Sequence, residues 1–548
     1  MSKLPIGIQS FEKLRRGGYV YIDKTMHIVQ LLEGGMEYFL SRPRRFGKSL
    51  FVTTLEAYFR GQKDLFEGLA IEKEEARKPE KEQWIEYPVM KFSLSGGSFG
   101  TNEGLEQVLA YNLRRFEEEY HLSHFKVQSP GQDETSVQDA KGLRAILPVW
   151  LTYCLEKGAE ATGRQIVFLV DEYDKPLLEN LSVNPEQEER NREMLKSFFS
   201  ILKDEDKYLK FAFFTGVTKF SKVSIFSDLN QLEDISFNQE MSDICGITET
   251  EMEENMEDDI RKLAEKNNMS FGECLSELAQ MYDGYHFSFD GAGVYNPFSL
   301  FNALRQGRFS SFWFSTGTPT FLIRKLSASR FKPVDFYNGV RTTEKAIEDY
   351  RTDNPDPVPL FYQAGYLTIT GYDRRFKQYI LAFPNQEVRN GFVDSIFPYY
   401  FNQEASEGVF ELDRFIYDLD HGDVDSFMTR LKSLFASVNY PEGAAPYSEH
   451  DFQSNIFIVF CMLGEVVHTE VHTSKGRTDC EVEDGDLIYL FEFKVDRTAE
   501  EAFSQIEDRQ YALRYAASGK TIIKVGINFS TQDRTVQNWK AEKVSFDS

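Results

Sequence analysis

Residues 41–50 read Ser-Arg-Pro-Arg-Arg-Phe-Gly-Lys-Ser-Leu, and the close of this stretch decides the fold. The triplet Gly-Lys-Ser at 47–49 matches the end of the pattern G-x-x-x-x-G-K-[ST], which is typical of phosphate-binding loops, although a bare triplet also occurs by chance. A short apolar run, MEYFL at 36–40, precedes the loop, and residues 48–61 have helical periodicity. Free backbone N–H groups and the positive end of a helix dipole bind phosphate. The stretch therefore predicts a strand, a phosphate loop and a helix that hold a nucleoside triphosphate.

The chemistry of such a loop assigns roles to its residues. Lys48 would bridge the β- and γ-phosphates of ATP, and the Ser49 hydroxyl would ligate Mg²⁺. Arg42 replaces the first glycine of the pattern and Pro43 follows it, so we expect a tighter or differently shaped loop. The positive charge of Arg42, Arg44 and Arg45 would help to hold a triphosphate. The other expected contacts with ATP come from Phe46, Gly47 and Leu50.

Acidic and polar residues end two further apolar runs. The run IVFLV (166–170) leads into Asp171, which would contact Mg²⁺, and Glu172, which would polarise the attacking water. The alternative is a strand that runs into an acidic turn. Thr215 ends the run FAFFT and could sense the γ-phosphate, as in AAA-type ATPases, or simply occupy a Thr-Gly turn. No arginine finger can be assigned, although Lys219 and Lys222 follow this strand.

The apolar runs at 36–40, 87–95, 165–174 and 209–218 are separated by helical segments. Buried strands that alternate with helices predict an α/β fold with a parallel sheet. The length of 548 residues exceeds one hydrophobic core, and several domains are expected. The five cysteines lack the spacing of a disulfide framework or a zinc site. With no apolar run of spanning length and no secretory signal, we expect no membrane contact and a cytoplasmic location.

The net charge of −25 disfavours binding of nucleic acid over the whole surface, so any such contact needs a local basic patch. The middle of the chain offers one. Residues 236–300 predict a helical lid, and residues 355–385 predict a helix followed by a hairpin that resembles a winged helix. The wing carries Arg374, Arg375 and Lys377, which could contact a phosphate backbone. A structural hairpin at a subdomain interface is the favoured alternative, given the acidic total charge.

Several segments together resemble bacterial AAA-ATPase-like proteins in which this domain precedes a PD-(D/E)XK nuclease-like C-terminus. The resemblance implies an AAA/STAND-like P-loop core that binds Mg-nucleotide, and the 42–49 sequence is the usual form of the loop in this family. The expected domains are a P-loop ATPase domain (1–235), a helical lid (236–340), a winged-helix-like and helical connector (341–437) and a nuclease-like domain (438–548). The segments that carry the resemblance are LPIGIQSFEKLRRGGYVYIDKT (4–25), SRPRRFGKSLF (41–51), VDEYDKPL (170–177), TGVTKFSKVSIFSDLNQLEDIS (215–236), YDGYHFS (282–288), VYNPFSL (294–300) and FYQAGYLTITGYD (361–373).

The last hundred residues carry a second set of chemical groups. Asp479 lies in a predicted hairpin, and the alternating strand DLIYLFEFKVD places Glu492 and Lys494 on one face. An aspartate followed about a dozen residues later by Glu-x-Lys is the nuclease core pattern. Asp479 and Glu492 would ligate Mg²⁺, Lys494 would activate the water or stabilise the developing charge, and Glu449 would be a further ligand or an orienting carboxylate. Gln505 would be a supporting contact. Glu-x-Lys is also common as an ion pair on exposed strands.

Three functions fit these patterns. The first is an ATP-regulated, Mg²⁺-dependent nuclease that contacts DNA or RNA through the C-terminal domain and the wing. The second is a non-enzymatic, STAND-like nucleotide switch that changes its oligomeric state, as a homo-oligomer could, and engages a protein or nucleic-acid partner. The third is a chain whose C-terminal fold serves only in recognition, because a fold does not guarantee an activity.

Overall fold

In the computed structural model, the chain forms two units. The first unit comprises Met1–Trp313 and Arg341–Gln386, and the second comprises Phe314–Val340 and Glu387–Ser548. The predicted division into four domains stays a prediction. The structure describes residues 3–127, 135–136, 142–181, 183–219, 225–226, 229, 231–313, 322, 326, 329, 331, 333–348, 356–401, 414–436, 452, 454–456, 458–459, 466–473, 476–516 and 518–544.

A five-stranded parallel sheet forms the centre of the first unit, in the order β2-β5-β6-β1-β7. All residues of β1 and β5 are buried. This burial explains the apolar runs within these strands, because crossover helices cover both faces of a parallel sheet. The four predicted apolar strands are confirmed, and the α/β class with them. The strands are β1 (Glu37–Ser41), β2 (Val89–Ser93), β5 (Ile166–Asp171), β6 (Leu209–Gly216) and β7 (Glu233–Asp234), with a separate pair β3 (Lys126–Val127) and β4 (Thr135–Ser136).

Helices surround this sheet, and one of them begins directly after the phosphate loop. The carboxyl ends of β1, β6 and β5 meet at one edge, where polar residues that follow different strands come together. The α-helices of the first unit cover Phe11–Arg16, Met26–Gly34, Lys48–Phe59, Ala70–Arg77, Gly104–Glu119, Leu143–Thr162, Lys175–Leu178, Pro185–Phe199, Ile201–Asp204, Glu249–Lys266, Phe271–Tyr282, Pro297–Gln306, Glu344–Glu348 and Val358–Gln363.

The predicted helical segment after residue 236 contains three of these helices, packed around their own apolar cluster. Capping boxes start the first two, formed by Thr248 with Glu251 and by Ser270 with Glu273, because a side-chain oxygen and a glutamate satisfy the otherwise unpaired N–H groups of a helix start. The predicted hairpin is also present. It belongs to a three-stranded sheet in the order β8-β10-β9, with β8 (Val340–Thr342), β9 (Thr368–Asp373) and β10 (Gln378–Ala382).

The second unit contains a five-stranded mixed sheet in the order β11-β12-β13-β14-β15, in which only β13 and β14 run parallel. A helix crosses this sheet over Gly526, where an added Cβ would lie 2.5 Å from the Phe503 backbone nitrogen. A mixed sheet of this kind fits a nuclease-like domain. The strands are β11 (Val466–Thr473), β12 (Gly476–Asp484), β13 (Leu487–Val495), β14 (Thr521–Ser530) and β15 (Thr535–Val544), and the helices are Pro333–Asn338, Gln386–Phe401, Val424–Ala436 and Ala499–Asp508.

Among the residues that the structure describes, none of the helices combines the length and the apolar composition that a membrane crossing requires.

Candidate functional site

The phosphate loop connects β1 to the Lys48–Phe59 helix, as the sequence predicts. Gly47 precedes the helix with a φ of 103°, and an added Cβ would meet no atom within 4 Å, so conformation rather than crowding selects glycine here. The loop is fixed from behind by Arg42. Its guanidinium is 1% exposed and donates hydrogen bonds to the carbonyl oxygens of Ser41, Ser236 and Met241 at 2.8–2.9 Å. Burial lowers the pKa of Arg42.

This position of Arg42 corrects one expectation. The side chain does not line the cavity, so its charge holds the loop in place instead of helping to hold a triphosphate. An arginine can therefore replace the first glycine of the motif, because its long side chain turns away into a set of backbone carbonyls. Phe46 is likewise 1% exposed and packs edge-to-face against Tyr285, with ring centroids 4.7 Å apart. Its side chain anchors the loop in the core, so only its backbone remains available for a phosphate.

A cavity of about 400 Å³ opens in front of the loop, within the usual size range of sites for small ligands. Six of the seven residues at 44–50 that were predicted to contact ATP line this cavity, and Phe46 is the exception. Glu172 lines it as well. The six are Arg44, Arg45, Gly47, Lys48, Ser49 and Leu50. The opposite wall was not anticipated from the sequence. It consists of residues 5–9 with Phe298 and Phe301.

The Lys48 ammonium group is buried and donates hydrogen bonds to the carbonyl oxygens of Arg42 and Pro43, both at 2.9 Å. Burial lowers the pKa of Lys48, while the nearby carboxylate of Asp171 acts in the opposite direction. The lysine is therefore a cation held by neutral carbonyls at the edge of a cavity. An anionic ligand would bind it more strongly than these carbonyls do, because the attraction between opposite full charges adds to the hydrogen bond.

Two of the predicted residues at the sheet edge form a hydrogen bond. Thr215 is fully buried, and its hydroxyl donates to the Asp171 carboxylate at 2.8 Å. The hydroxyl thus orients the carboxylate that was expected near Mg²⁺. Glu172, the next residue, has a φ of 56°, a left-handed conformation that costs a non-glycine residue roughly 1–2 kcal/mol. This conformation brings Glu172 to the cavity wall, and burial, followed by the Asp171 charge, raises its pKa.

A third carboxylate, Asp174, was not singled out by the sequence analysis. It is 1% exposed and accepts hydrogen bonds from the backbone N–H groups of Val217 and Thr218 and from the Thr218 hydroxyl. These bonds tie the turn after β5 to the end of β6, which fixes the positions of Asp171 and Glu172. The signal available in the sequence was a further acid, Asp174, two residues beyond the Asp171-Glu172 pair.

Two lysines, Lys219 and Lys222, were considered for the role of an arginine finger. Lys219 is 2% exposed, and its ammonium group pairs with Asp234 at 2.9 Å. It also lies 3.9 Å from the centre of the Phe237 ring. A buried, paired lysine cannot reach a phosphate in another subunit, so Lys219 is excluded as a finger. Lys222 lies outside the described residues.

The second candidate site lies on β12 and β13 of the second unit. Cys480 on β12 is the cross-strand partner of Phe491 on β13, and the two strands are antiparallel. The register therefore places Asp479 opposite Glu492, with both side chains on one face of the sheet. The Asp479 carboxylate accepts a hydrogen bond from the Phe493 backbone N–H at 2.8 Å. Lys494 lies on the same face, and its ammonium group donates to Glu492 Oε1 at 3.0 Å.

Glu492 is 1% exposed, and the second oxygen of its carboxylate, Oε2, is buried without a hydrogen-bond partner among the described residues. Burial and the Asp479 charge raise the pKa of Glu492 to about 7. A buried carboxylate oxygen without a partner costs free energy unless a proton or a cation binds it. The donor set therefore fits Mg²⁺, which prefers carboxylate oxygens.

The remaining predicted residues of this site are less informative. Glu449 lies outside the described residues, and the described part of the chain contains no group of three or more His, Cys, Asp or Glu side chains suited to a metal. Gln505 lies on the Ala499–Asp508 helix, which covers the face of the sheet that carries Glu492. Glu481, next to Asp479 on that face, is fully buried and pairs with Arg514 at 3.2 Å, so it serves packing.

Comparison with known proteins gives a consistent result. Residues 5–226 match the family described as "Predicted AAA-ATPase", and residues 447–539 match the PD-(D/E)XK nuclease superfamily. A protein of Azotobacter chroococcum mcd 1, described as "Uncharacterized protein in vnfD 5'region", is 35% identical over 553 residues, which cover 99% of each chain. No solved structure matches. The first match contains the predicted residues of the phosphate-loop site and the second contains those of the Asp479 site. Because the relative also extends over the whole length, this chain belongs to the AAA-ATPase-like family with a C-terminal domain of the PD-(D/E)XK nuclease superfamily.

Proposed function

We propose that this chain is an ATP-regulated nuclease, in which ATP binds the phosphate loop and metal-dependent cleavage of nucleic acid takes place at Asp479, Glu492 and Lys494. The observation that carries the proposal is the buried Oε2 atom of Glu492, which lacks a hydrogen-bond partner among the described residues. A merely structural Glu-Lys pair needs no second carboxylate opposite it. Here burial, followed by the like charge of Asp479, raises the pKa of Glu492, and only a bound cation or proton relieves this arrangement.

The residues of the nuclease site divide the chemical work between them. Asp479 and Glu492 would hold Mg²⁺, which when bound activates water and stabilises charge on a phosphate. Lys494 keeps one oxygen of Glu492 in place through its 3.0 Å hydrogen bond, and its ammonium group is available to stabilise negative charge that develops on the phosphate. The backbone N–H of Phe493 fixes the orientation of Asp479.

The nucleotide site has both polar and apolar walls. Lys48, Ser49, Arg44 and Arg45 would bind the triphosphate, and Asp171 would act on the Mg²⁺ side. Residues 5–9 with Phe298 and Phe301 form an apolar wall suited to an aromatic base. Glu172 lies at the cavity wall with a raised pKa, the property of a general base for hydrolysis.

The test is cleavage by the purified full chain. Supercoiled plasmid, single-stranded DNA and RNA are incubated with Mg²⁺ or Mn²⁺, with and without ATP, and cleavage that depends on both metal and ATP is expected. Asp479→Asn should abolish cleavage, and Lys48→Ala should abolish its response to ATP. Asp486→Asn is a matched control, because it removes the same charge from an exposed position in the turn after β12. If no substrate is cut under any of these conditions, the nuclease proposal fails.

A nucleotide switch without hydrolysis is the second candidate, and one observation favours it. Lys219, one of the two lysines considered for the role of an arginine finger, is buried against Asp234. Without such a finger a P-loop protein hydrolyses its nucleotide about 10³- to 10⁵-fold more slowly. The switch would be supported if wild type binds ATP but hydrolyses it, over multiple turnovers, no faster than Lys48→Ala does. Sustained turnover that Lys48→Ala removes would exclude it.

A further inference from the structure

A row of five aromatic side chains runs across one side of the three-stranded sheet in the first unit. Its members are neighbours in space although they come from four parts of the chain. Phe289 lies 5.4 Å from Tyr372 between ring centroids, and Tyr372 lies 5.0 Å from its cross-strand partner Tyr379. The ring centroids of Tyr379 and Phe237 lie 6.2 Å apart. Phe237 stacks on Tyr362, with centroids 5.9 Å apart and an interplanar angle of 4°. We call these five residues the aromatic row.

The exposure of the rings changes along the aromatic row. Tyr362 at the inner end is 8% exposed, whereas Phe289 at the outer end is 36% exposed, and the three rings between them are half-buried. The burial of the two inner rings, Tyr362 and Phe237, is explained by their role in attaching the hairpin to the core. It does not explain why large rings at the outer end remain open to solvent, since aromatic side chains gain most when they are buried.

Positive charge lies at the end of the same hairpin. The basic turn, residues 374–377, contains Arg374, Arg375 and Lys377 around Phe376, which is 60% exposed. None of the three cations forms an ion pair within the part of the chain that the structure describes. The acid beside the turn, Asp373, is already occupied by Arg341 at 2.7 Å and by the backbone N–H groups of Arg375 and Phe376. The basic turn therefore presents positive charge on a chain whose net charge is −25.

The inner end of the aromatic row is fixed to the residues that hold the phosphate loop. The Lys219 ammonium group lies over the Phe237 ring and pairs with Asp234. The carbonyl oxygen of Ser236, the residue before Phe237, accepts a hydrogen bond from Arg42 at 2.8 Å. These contacts hold the row in one geometry, so a partner that stacks on the outer rings loses little free energy to further ordering.

We propose that the aromatic row and the basic turn together bind single-stranded nucleic acid. Unpaired bases stack on exposed aromatic rings while cations neutralise the adjacent phosphates. A duplex keeps its bases stacked inside and can use only the basic turn, so the two forms of nucleic acid are distinguished. The inference deepens the proposed nuclease function by naming the class of substrate, and it rests on that function for its role in the cell.

The test is equilibrium binding of the full chain, in EDTA so that no cleavage occurs, to a fluorescent 20-nucleotide single strand and to the matching duplex. The single strand should bind more tightly. Phe289→Ala and Phe376→Ala should each weaken its binding about tenfold and leave duplex binding within twofold of wild type. Tyr111→Ala is the matched control, because Tyr111 is a 67% exposed aromatic residue elsewhere in the unit.

The charge is tested separately. Arg374→Gln with Arg375→Gln should weaken binding of both forms and reduce the slope of log affinity against log salt by about 1.4 for the single strand. Lys13→Gln with Lys73→Gln, two exposed lysines, makes the same change in charge elsewhere and should have no such effect. The proposal is overturned if wild type does not bind the single strand, if both aromatic variants bind it as wild type does, or if they lose single strand and duplex equally. Because cleavage plays no part in this assay, its outcome is independent of whether the nuclease is active.

Discussion

The two candidate sites use buried charge in opposite ways. In the first unit the buried group is a cation, Lys48, whose pKa burial lowers. In the second unit it is an acid, Glu492, whose pKa burial raises to about 7. Burial disfavours the ionised form in both cases, and a ligand of opposite charge reverses the effect. The first site thus suits a phosphate, and the second suits a metal cation.

The sites also differ in how completely they are satisfied without a ligand. The Lys48 ammonium group has two carbonyl partners within its own loop, whereas Oε2 of Glu492 has no hydrogen-bond partner among the described residues. An unsatisfied buried polar atom costs about 1–3 kcal/mol, more if it is charged. We therefore expect the phosphate loop to be stable without nucleotide, and the stability of the site at Asp479 and Glu492 to depend on a bound proton or metal ion.

Among the substitutions that compare the two sites, the largest effect is expected from Lys494→Met, which removes the cation paired with the buried Glu492. The cleavage rate should fall about 10³-fold, because the ammonium group both holds Glu492 and stabilises charge on the phosphate. Lys520→Met is the matched control, since Lys520 pairs with the half-buried Glu483 near the surface at 3.3 Å. Initial rates on the best substrate measure both variants, and calorimetric melting checks that they fold. A rate within tenfold of wild type would assign Lys494 to structure alone.

A pH effect on stability should follow from Glu492. Its pKa is about 7 in the folded chain and about 4.3 in an unfolded chain, so the folded state binds the proton more tightly. The contribution is fully present below pH 4 and is lost as the pH rises through 7, by about 4 kcal/mol in total. Calorimetric melting in EDTA across this range measures the loss.

Two additions make this pH test specific. Glu492→Gln cannot ionise, so it should remove that share of the pH dependence and melt at a higher temperature than wild type at pH 8. Mg²⁺ should stabilise wild type more at pH 8 than at pH 6, because it competes with the proton for the carboxylate. Identical pH profiles for wild type and Glu492→Gln would show that Glu492 ionises normally, and the contrast between the two sites would disappear.

A smaller effect is expected at the phosphate loop. Lys48→Ala removes a charge-assisted contact with phosphate worth about 1.5–3 kcal/mol, so the affinity for ATP should fall roughly 100-fold. The melting temperature without nucleotide should change little, since water can replace the ammonium group at the Arg42 and Pro43 carbonyls. Equilibrium binding of a fluorescent ATP analogue measures the affinity, with Lys13→Ala as an exposed lysine control. An affinity within threefold of wild type contradicts the assigned role.

The sequence predicted the parts of both units that depend on local pattern. Long apolar runs with polar ends located β1, β5 and β6, and alternation along β13 placed Glu492 and Lys494 on one face. What it could not predict depends on contacts between distant segments. Arg42 is buried only because the carbonyl groups of Ser236 and Met241 meet it, and the wall at residues 5–9 comes from outside the motif.

The same limit applies to Thr215. Its place at a strand end was predictable, but its hydrogen bond to Asp171 on the neighbouring strand was not. As a sensor of the γ-phosphate, Thr215 would discriminate ATP from ADP. As the residue that orients Asp171, it would act on the Mg²⁺ side and affect both nucleotides.

Thr215→Val separates these roles with the smallest effect expected here. Valine keeps the shape but removes a hydrogen bond to a carboxylate, worth about 1.5 kcal/mol or roughly tenfold in affinity. If the hydroxyl orients Asp171, Mg-ATP and Mg-ADP lose affinity equally, and the loss shrinks when EDTA removes the metal. If ATP alone is affected, Thr215 is a sensor. Thr54→Val is the control, because it removes a buried hydroxyl in the same unit that donates to the Leu50 carbonyl and not to a carboxylate. Its effect should appear in the melting temperature and not in the dependence on Mg²⁺.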